Sequence, residues 1–354
     1  MVEKVLLTDL SYEQLESWVT EQGEPSFRAE QLFEWIYRSL VFDPAAMANL
    51  PLGFRRRLLD QAIVQALVPV DAITSANGLT TKVLLRLPDG ETIEAVLMRY
   101  EGRQTICISS QVGCALGCAF CATGQSGFTR NLCSGEIVDQ VLYFAQQLQG
   151  QGASVSNVVF MGMGEPLANY DEVWRAVQTL NDQRGFALGA RRFTISTVGL
   201  VPGIRRLTQG ELPVGLAVSL HAADDTLRDK LVPINKKYPL AQLLSACQEY
   251  AQRTGRRISY EYALIQGVND DPAQARQLGQ VLRGLLCHVN LIPLNPTEDC
   301  GYQSANRERV LAFRGELNRV GIANTVRLAR GLDIQAGCGQ LRSRQSEKVE
   351  KKAK

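Results

Sequence analysis

Residues 104–124 read QTICISSQVGCALGCAFCATG, an apolar, β-branched run that stops at a serine pair and opens into a glycine-containing loop carrying Cys114, Cys118 and Cys121. Downstream the same grammar repeats. QTICISS is followed by a helical pattern from Gly135 to Leu148, and NVVFMG by one from Tyr170 to Leu180; then come RRFTISTVG, PVGLAVSLHA, RRISYEYALI, CHVNLIPLN, a helix over 304–319 and TVRLA. Apolar strands that alternate with amphipathic helices imply a parallel sheet with helices outside, and about six βα units imply an α/β fold, a partial (β/α)6 barrel. Reactive groups of such folds sit at the C-terminal ends of the strands. One rim therefore receives the cysteine loop, the GMGEP that follows NVVF, Ser196 in TISTVG, and the SLHA that follows VGLAV.

Upstream the periodicity is different. Tyr12, Leu15 and Trp18 form one apolar helical face, and Phe27, Leu32, Phe33, Ile36 and Tyr37 another, so residues 1–75 read as a small helical domain. KVLLRL and ETIEAVLMRY, split by the turn signal Pro88-Asp89-Gly90, read as a β-hairpin connector over 76–99. The catalytic core is then 100–341. The tail 342–354 carries six basic and two acidic residues and reads as a disordered, solvated end.

The bulk composition excludes several classes. With 354 residues, 45% hydrophobic and 21% charged, the chain buries a full-sized core and is not disordered. A net charge of +2 does not by itself indicate a polyanion partner. No apolar run is long enough for a bilayer, and the first residues are acidic where a signal peptide is basic, so a cytoplasmic protein is expected. Nine cysteines in a reducing compartment ask for a chemical reason, and only three are grouped.

Thiols at i, i+4 and i+7 in one short loop suit iron–sulfur ligation, and three ligands leave one iron open to a further group. A structural zinc site normally takes four protein ligands, for which the nearby fourth candidates are Cys107 and Cys133. The CxxxCxxC spacing, with Phe120 before the last cysteine, resembles the signature of the radical S-adenosylmethionine (SAM) superfamily. Gly162-Met163-Gly164-Glu165-Pro166 is similar to that superfamily's GxGEP-type motif. The long stretch CATGQSGFTRNLCSGEIVDQV, with FMGMGEPL, RRFTISTVG, AVSLHA and the terminal RGLDIQAGCGQL, resembles more narrowly the RlmN/Cfr family of RNA methyltransferases, over residues 10 to 341.

That resemblance implies a [4Fe-4S] cluster on Cys114, Cys118 and Cys121, and SAM as methyl donor and radical source, two molecules per turnover. It implies methylation of adenosine C2 in 23S rRNA and in the tRNA anticodon loop. Cys338, flanked by Gly337 and Gly339, would carry the methyl as S-methylcysteine, which a 5′-deoxyadenosyl radical activates. Cys107 would release the product by thiol attack, ending in a disulfide with Cys338. Glu94, in Ile93-Glu94-Ala95-Val96, matches the family's proton acceptor. The SAM site would be completed by Gly164, Glu165, Ser196, Ser219, Leu220, His221 and Asn295. Read alone, Cys107 is an apolar strand residue, Glu94 a solvent-facing one, and His221 a satisfied polar residue at a strand end. An electron donor such as flavodoxin or ferredoxin, no membrane and a monomeric state complete the expectation.

Two positions depart from the family pattern: Cys133 stands where threonine or serine is usual, and Gly337 where alanine is expected. Cys247, Cys287 and Cys300 read as packing or surface thiols. The cation pairs Arg191-Arg192, Arg205-Arg206, Lys236-Lys237 and Arg256-Arg257, with Arg55-Arg56-Arg57, are candidates for tracking an RNA backbone. A Cfr-like C8 methyltransferase, another radical SAM enzyme and a non-catalytic, zinc-stabilised RNA-binding module are the competing readings.

Overall fold

The cysteine loop hangs from the middle strand of a ten-stranded mixed sheet. A computed structural model describes residues 4–297, 301–327 and 330–342. Strands β1 (Val68–Thr74), β2 (Thr80–Arg86), β3 (Thr92–Tyr100) and β4 (Arg103–Cys107) pair antiparallel in succession. From β4 the sheet turns parallel through β5 (Asn157–Phe160), β6 (Phe193–Thr197), β7 (Gly215–Ser219), β8 (Ile258–Leu264), β9 (Cys287–Pro293) and β10 (Asn324–Val326). Spatial order follows chain order, and the sheet does not close, so β1 and β10 are its edges.

Among the described residues, six helical crossovers join the seven parallel strands, as the alternation predicts. Each presents an apolar stripe to the sheet: Val173, Ala176, Val177 and Leu180 on one, Ile204 and Leu207 on the next. The last crossover helix begins at Arg307 rather than at residue 304, because the Asn306 side chain accepts the Arg309 N–H at 2.9 Å and caps it there. Ser304 is taken instead by an antiparallel bridge to Ile265.

The N-terminal segment forms helices at Tyr12–Glu21, Phe27–Tyr37 and Leu52–Gln61. Their apolar faces join the core of the sheet and its helices without a break, through Leu15, Phe33, Phe54 and their neighbours. The approach is close. A side chain at Gly185 would meet the Phe33 ring at 2.5 Å. The hairpin is likewise part of the main sheet, paired to it through Val96 and Cys107. Strand β1 was not expected; it lies within the last residues of the segment read as helical, and its Pro69 and Asp71 suit an exposed edge. Cys300 and residues 343–354 of the basic tail lie outside the described residues.

Cys133 occupies the N-cap of the helix Ser134–Gln149. Its Sγ accepts the Glu136 backbone N–H while Glu136 Oε2 accepts the Cys133 N–H at 3.0 Å, a capping box with sulfur in the place of a hydroxyl. That accounts for threonine or serine as the usual residue. Sulfur is the weaker acceptor, so Cys133→Ser should raise stability by up to about 1 kcal/mol, read as a higher urea midpoint at unchanged slope. A lower midpoint would contradict the capping role.

Candidate active site

The cysteine loop is a closed excursion. Gln111–Gly113 and Phe128–Asn131 pair antiparallel at its neck, and the Cys114 N–H donates to the Gly127 carbonyl at 2.7 Å. Gly113 adopts φ 77°, and a Cβ there would lie 2.0 Å from the Gly127 oxygen, so the neck closes only on glycine. Cys118 and Phe120 pack on Leu231, Val232, Ala263 and Leu294, which seats the loop over the ends of β7 to β9.

Beneath the loop is a cavity that opens to solvent. Cys118, Cys121, Gly164, Glu165, Ser196, Ser219, His221, Asn295 and Cys338 all line it. Residues separated by up to 220 positions thus share one space, and all stand at strand C-termini or on the loops that follow. Cys114 and Leu220 do not line it. Leu220 is fully buried and serves through its backbone: its N–H donates to the Glu261 carbonyl at 2.9 Å and its carbonyl accepts Arg228 Nε at 3.0 Å.

Glu165 is nearly inaccessible and held at both oxygens: Oε1 accepts the Leu167 N–H at 3.1 Å and Oε2 the Val198 N–H at 2.9 Å. Burial nevertheless pushes its carboxyl up to about 7. Such a group gains from a cationic ligand. Gly164, at φ 100°, lets the turn pass Gln111, whose Oε1 accepts the Glu165 N–H at 2.8 Å; a Cβ would sit 2.6 Å from the Gln111 side chain.

His221 also has a positive φ, 60°. Its Nδ1 accepts the Ala263 N–H at 3.0 Å, its ring stands edge-on to Phe120 at 4.6 Å, and burial with Arg228 nearby pushes it down to about 3. The ring is therefore neutral, with the proton on Nε2.

Burial raises the Cys114 thiol to about 11 and the Cys118 thiol well above its ordinary value. Among the described residues, no three His, Cys, Asp or Glu side chains converge to share a single metal ion. A multi-iron cluster, in which each thiolate meets its own iron, asks instead for thiols spaced along one loop. The donor set fits such a group, and the third wall of the site is the C-terminal loop.

Asn295 Nδ2 donates to the Cys338 carbonyl at 3.2 Å, Ala122 N–H to the Gly339 carbonyl at 2.8 Å, and Thr123 Oγ1 to the Leu341 carbonyl at 2.5 Å. Gln340 braces the loop from within, accepting the Gly337 N–H at 3.0 Å and donating to the Pro296 carbonyl at 2.9 Å. Gly337 permits this approach, since a Cβ would lie 2.6 Å from Asn295 Nδ2. Cys338 itself is exposed to the cavity.

Cys107 is buried at the end of β4, below the cavity lining. Burial pushes its thiol far up, a thiolate on Cys338 would push it further, and Arg327 acts against both rises. Glu94 is neither solvent-facing nor in an apolar surround: it is buried in an ion pair with Lys82 at 3.1 Å, and Oε2 accepts the Arg342 N–H at 3.1 Å.

Three polar residues of the site escaped the sequence reading. Arg228, fully buried, donates to the carbonyls of Val198 at 2.6 Å, Ser219 at 3.2 Å and Leu220 at 3.0 Å, and to Asn235 Oδ1 at 2.8 Å. Glu261 and Arg327 line the cavity floor. A carboxylate between Tyr260 and Tyr262 in an otherwise apolar strand was the available signal for Glu261. The cation pairs, by contrast, do not gather. Arg191-Arg192 and Arg256-Arg257 precede β6 and β8, at the end of the sheet opposite the cavity. Arg205, Arg206 and Arg57 are engaged by Glu249, Asp171 and Glu24. Lys236 and Lys237 stand exposed beside the rim.

Two family models match the chain: the radical SAM superfamily over residues 108–278, and the N-terminal domain of ribosomal RNA large subunit methyltransferases over residues 5–64. A probable dual-specificity RNA methyltransferase RlmN of Chloroflexus aurantiacus is 48% identical over 98% of this chain and 94% of its own. One of the same name from Frankia alni is 51% identical over 95% of this chain and 82% of its own. The crystal structure of a radical SAM methyltransferase from Sphaerobacter thermophilus superposes with a TM-score of 0.94 at 49% identity, covering 96% of this chain and 99% of that one.

Removing Arg228 would strand the three carbonyls that it satisfies at the ends of β6 and β7. Arg228→Met should lower unfolding free energy by about 3 kcal/mol, measured by urea titration. A change under about 0.5 kcal/mol would show that the rim does not depend on it.

Proposed function

The chain belongs to the RlmN family of dual-specificity radical SAM RNA methyltransferases, and on that premise we propose that it methylates C2 of an adenosine in 23S rRNA and in the tRNA anticodon loop through a methyl group carried on Cys338. The observation that carries this reading is the single cavity lined by both Cys118 and Cys121 of the cysteine loop and Cys338 of the distant C-terminal loop. Membership in the family implies a [4Fe-4S] cluster and SAM. When bound, these supply a methyl group and a hydrogen-abstracting radical, chemistry that a non-nucleophilic aromatic carbon requires.

The residues divide the work. Cys114, Cys118 and Cys121 hold the cluster, and Glu165, with a carboxyl that burial leaves short of a counter-charge, holds the ligand's ammonium. Gly164, Ser196, Ser219, Asn295 and the neutral His221 position the rest of SAM, the last as a donor through Nε2. Leu220 contributes only by fixing the backbone of that segment.

Cys338 accepts the methyl group and, after hydrogen abstraction, forms a carbon–carbon link to the base through its former methyl carbon. Loss of the C2 proton, accepted by Glu94, and of one electron, which the cluster held by Cys114, Cys118 and Cys121 would take up, restores the ring. The Cys107 thiolate then attacks the Cys338 sulfur. A Cys107–Cys338 disulfide forms, the carbon–sulfur bond breaks, and its electron pair takes a proton to complete the methyl group. Glu94 holds the strap at Arg342, so movement of the Cys338 loop changes its surroundings too.

Lys236 and Lys237, exposed beside the mouth, suit contact with the RNA backbone, and the N-terminal helices suit recognition of its shape. Two SAM molecules per turnover, a flavodoxin or ferredoxin as electron donor, a monomeric state and a cytoplasmic location complete the reading. No helix of the described residues is long and apolar enough to cross a membrane.

Anaerobic purification should give a brown protein containing iron and acid-labile sulfide, and Cys118→Ala should lose both while keeping its far-ultraviolet circular dichroism. A colourless zinc protein would refute the cluster. Mass spectrometry of digested 23S rRNA and tRNA from cells lacking the gene should show loss of 2-methyladenosine from both; loss of 8-methyladenosine instead would establish the Cfr-type regiochemistry. Cys107→Ala should accumulate a covalent RNA adduct on Cys338, visible as a slow-migrating, nuclease-sensitive band. Free RNA alone would contradict the resolving role.

A further inference from the structure

Glu261 is a carboxylate of the cavity satisfied at only one of its two oxygens. It lies on β8 in register with Ser219 on β7 and Asn290 on β9, is 4% exposed, and faces the cavity from its floor. Its Oε1 accepts Asn290 Nδ2 at 2.8 Å and stands 3.8 Å from Arg327 Nη2. Its Oε2 is buried and has no hydrogen-bond partner among the described residues. A carboxylate oxygen left so costs free energy unless a ligand completes it.

Arg327 follows β10 and is fixed by its backbone N–H, which donates to the Leu291 carbonyl at 2.8 Å. Its guanidinium also lines the cavity, and the long contact to Glu261 leaves most of its five donors available. Cys338 lines the same space, and Arg327 and Glu261 are the first two charged groups to act on its sulfur. A base that meets Cys338 therefore enters the space that this pair also lines.

We propose that Glu261 and Arg327 read the target base, with Glu261 Oε2 accepting from an exocyclic amine and Arg327 donating to the adjacent ring nitrogen. The inference rests on the RNA methyltransferase reading above and adds the determinant of base choice. An acceptor beside a donor complements the N6 amine and N1 of adenine. Inosine and guanine present a carbonyl and an N–H in the same places, setting acceptor against acceptor and donor against donor. C2 adjoins N1, so a grip on this edge holds the carbon to be methylated beside Arg327, in the cavity that Cys338 also lines. A base taken out of its stack is commonly identified by such contacts to its Watson–Crick edge.

The test uses the full chain and two fluorescent stem-loop RNAs, identical except for adenosine or inosine at the target position, with binding followed by anisotropy at one fixed salt concentration. Wild type should bind the adenosine form about tenfold more tightly. Glu261→Gln, whose amide can turn a donor toward O6, should bring the ratio close to one. Arg327→Lys, which keeps the charge and loses the planar fork, should weaken the adenosine form and narrow the ratio. Thermal melts check that both variants fold, and if Glu261→Gln does not, Glu261→Asp takes its place, with a narrowed ratio again expected.

A wild-type ratio near one, or a ratio unchanged by both substitutions, would overturn the proposal while leaving RNA binding intact. SAM binding is measured separately by calorimetry on the reconstituted protein. Weakened SAM binding with an unchanged RNA ratio would assign Glu261 to the adenosyl group and also overturn the proposal. Failure of wild type to bind either RNA would sink the RNA methyltransferase reading itself.

Discussion

One buried guanidinium ties the active rim together. Parallel strands end in carbonyls that point into crossover loops, and where those ends are covered, water cannot satisfy them. At the ends of β6 and β7, beside the cluster that seats the cysteine loop, that task falls to a side chain. Arg228 meets the carbonyls of Val198, Ser219 and Leu220 at once, and its environment, which lowers it to about 10, still leaves it a cation at neutral pH. Asn235 accepts from it and in turn donates to Asp225 and Asp229, so the charge is balanced through a relay rather than by a direct ion pair. The left-handed turn at His221 and the backbone of Val198, which caps Glu165, both follow from this arrangement.

The opposite wall is built on another principle. The C-terminal segment meets the body chiefly through single hydrogen bonds: Asp333 accepts the Ala76 N–H, Lys82 donates to the Gln335 carbonyl, and Glu94 accepts the Arg342 N–H. Arg330 adds a stack on Tyr100 at 4.1 Å and a bond to the Arg99 carbonyl. Contacts of this kind localise a loop without the large apolar burial that would lock it. On the proposed function Cys338 meets two different partners in one space, and such a strap allows that more readily than a strand. The antiparallel strands are what make the strap possible, since they extend the open sheet and provide the surface on which it lies.

The sequence disclosed the periodic and the local parts of this design. Alternation of strand and helix patterns located all seven parallel strands, and the loop containing Cys114, Cys118 and Cys121 was legible because its chemistry depends on spacing alone. Strand β1 was not legible, because as an exposed edge bearing Pro69 and Asp71 it lacks the alternation that marks a half-buried strand. Arg228 was hidden for a different reason: in DTLRDKL it has the appearance of an ordinary helix-surface cation, and only the folded loop shows that it points inward. Glu94 and Glu261 were ambiguous because a carboxylate in a strand reads the same whether it faces solvent, a buried lysine or a cavity. The distribution of the cation pairs, Arg191-Arg192 and Arg256-Arg257 at the far end of the sheet and Lys236-Lys237 beside the rim, is likewise a property of topology rather than of composition.

Burial also explains how so many thiols share one molecule without reacting. Cys107, Cys114 and Cys118 are all held above their ordinary values, so in the resting chain each is a neutral thiol and a poor nucleophile. Reactivity must then be conferred by what arrives. On the proposed function, ligation to iron would take a proton from each loop thiol, and occupation of the cavity would change the surroundings of Cys338. Cys107 is buried, and a thiolate on Cys338 would oppose its ionisation further. On the proposed function, a carbon substituent on Cys338 excludes that charge at the stage when the Cys107 thiolate is to attack.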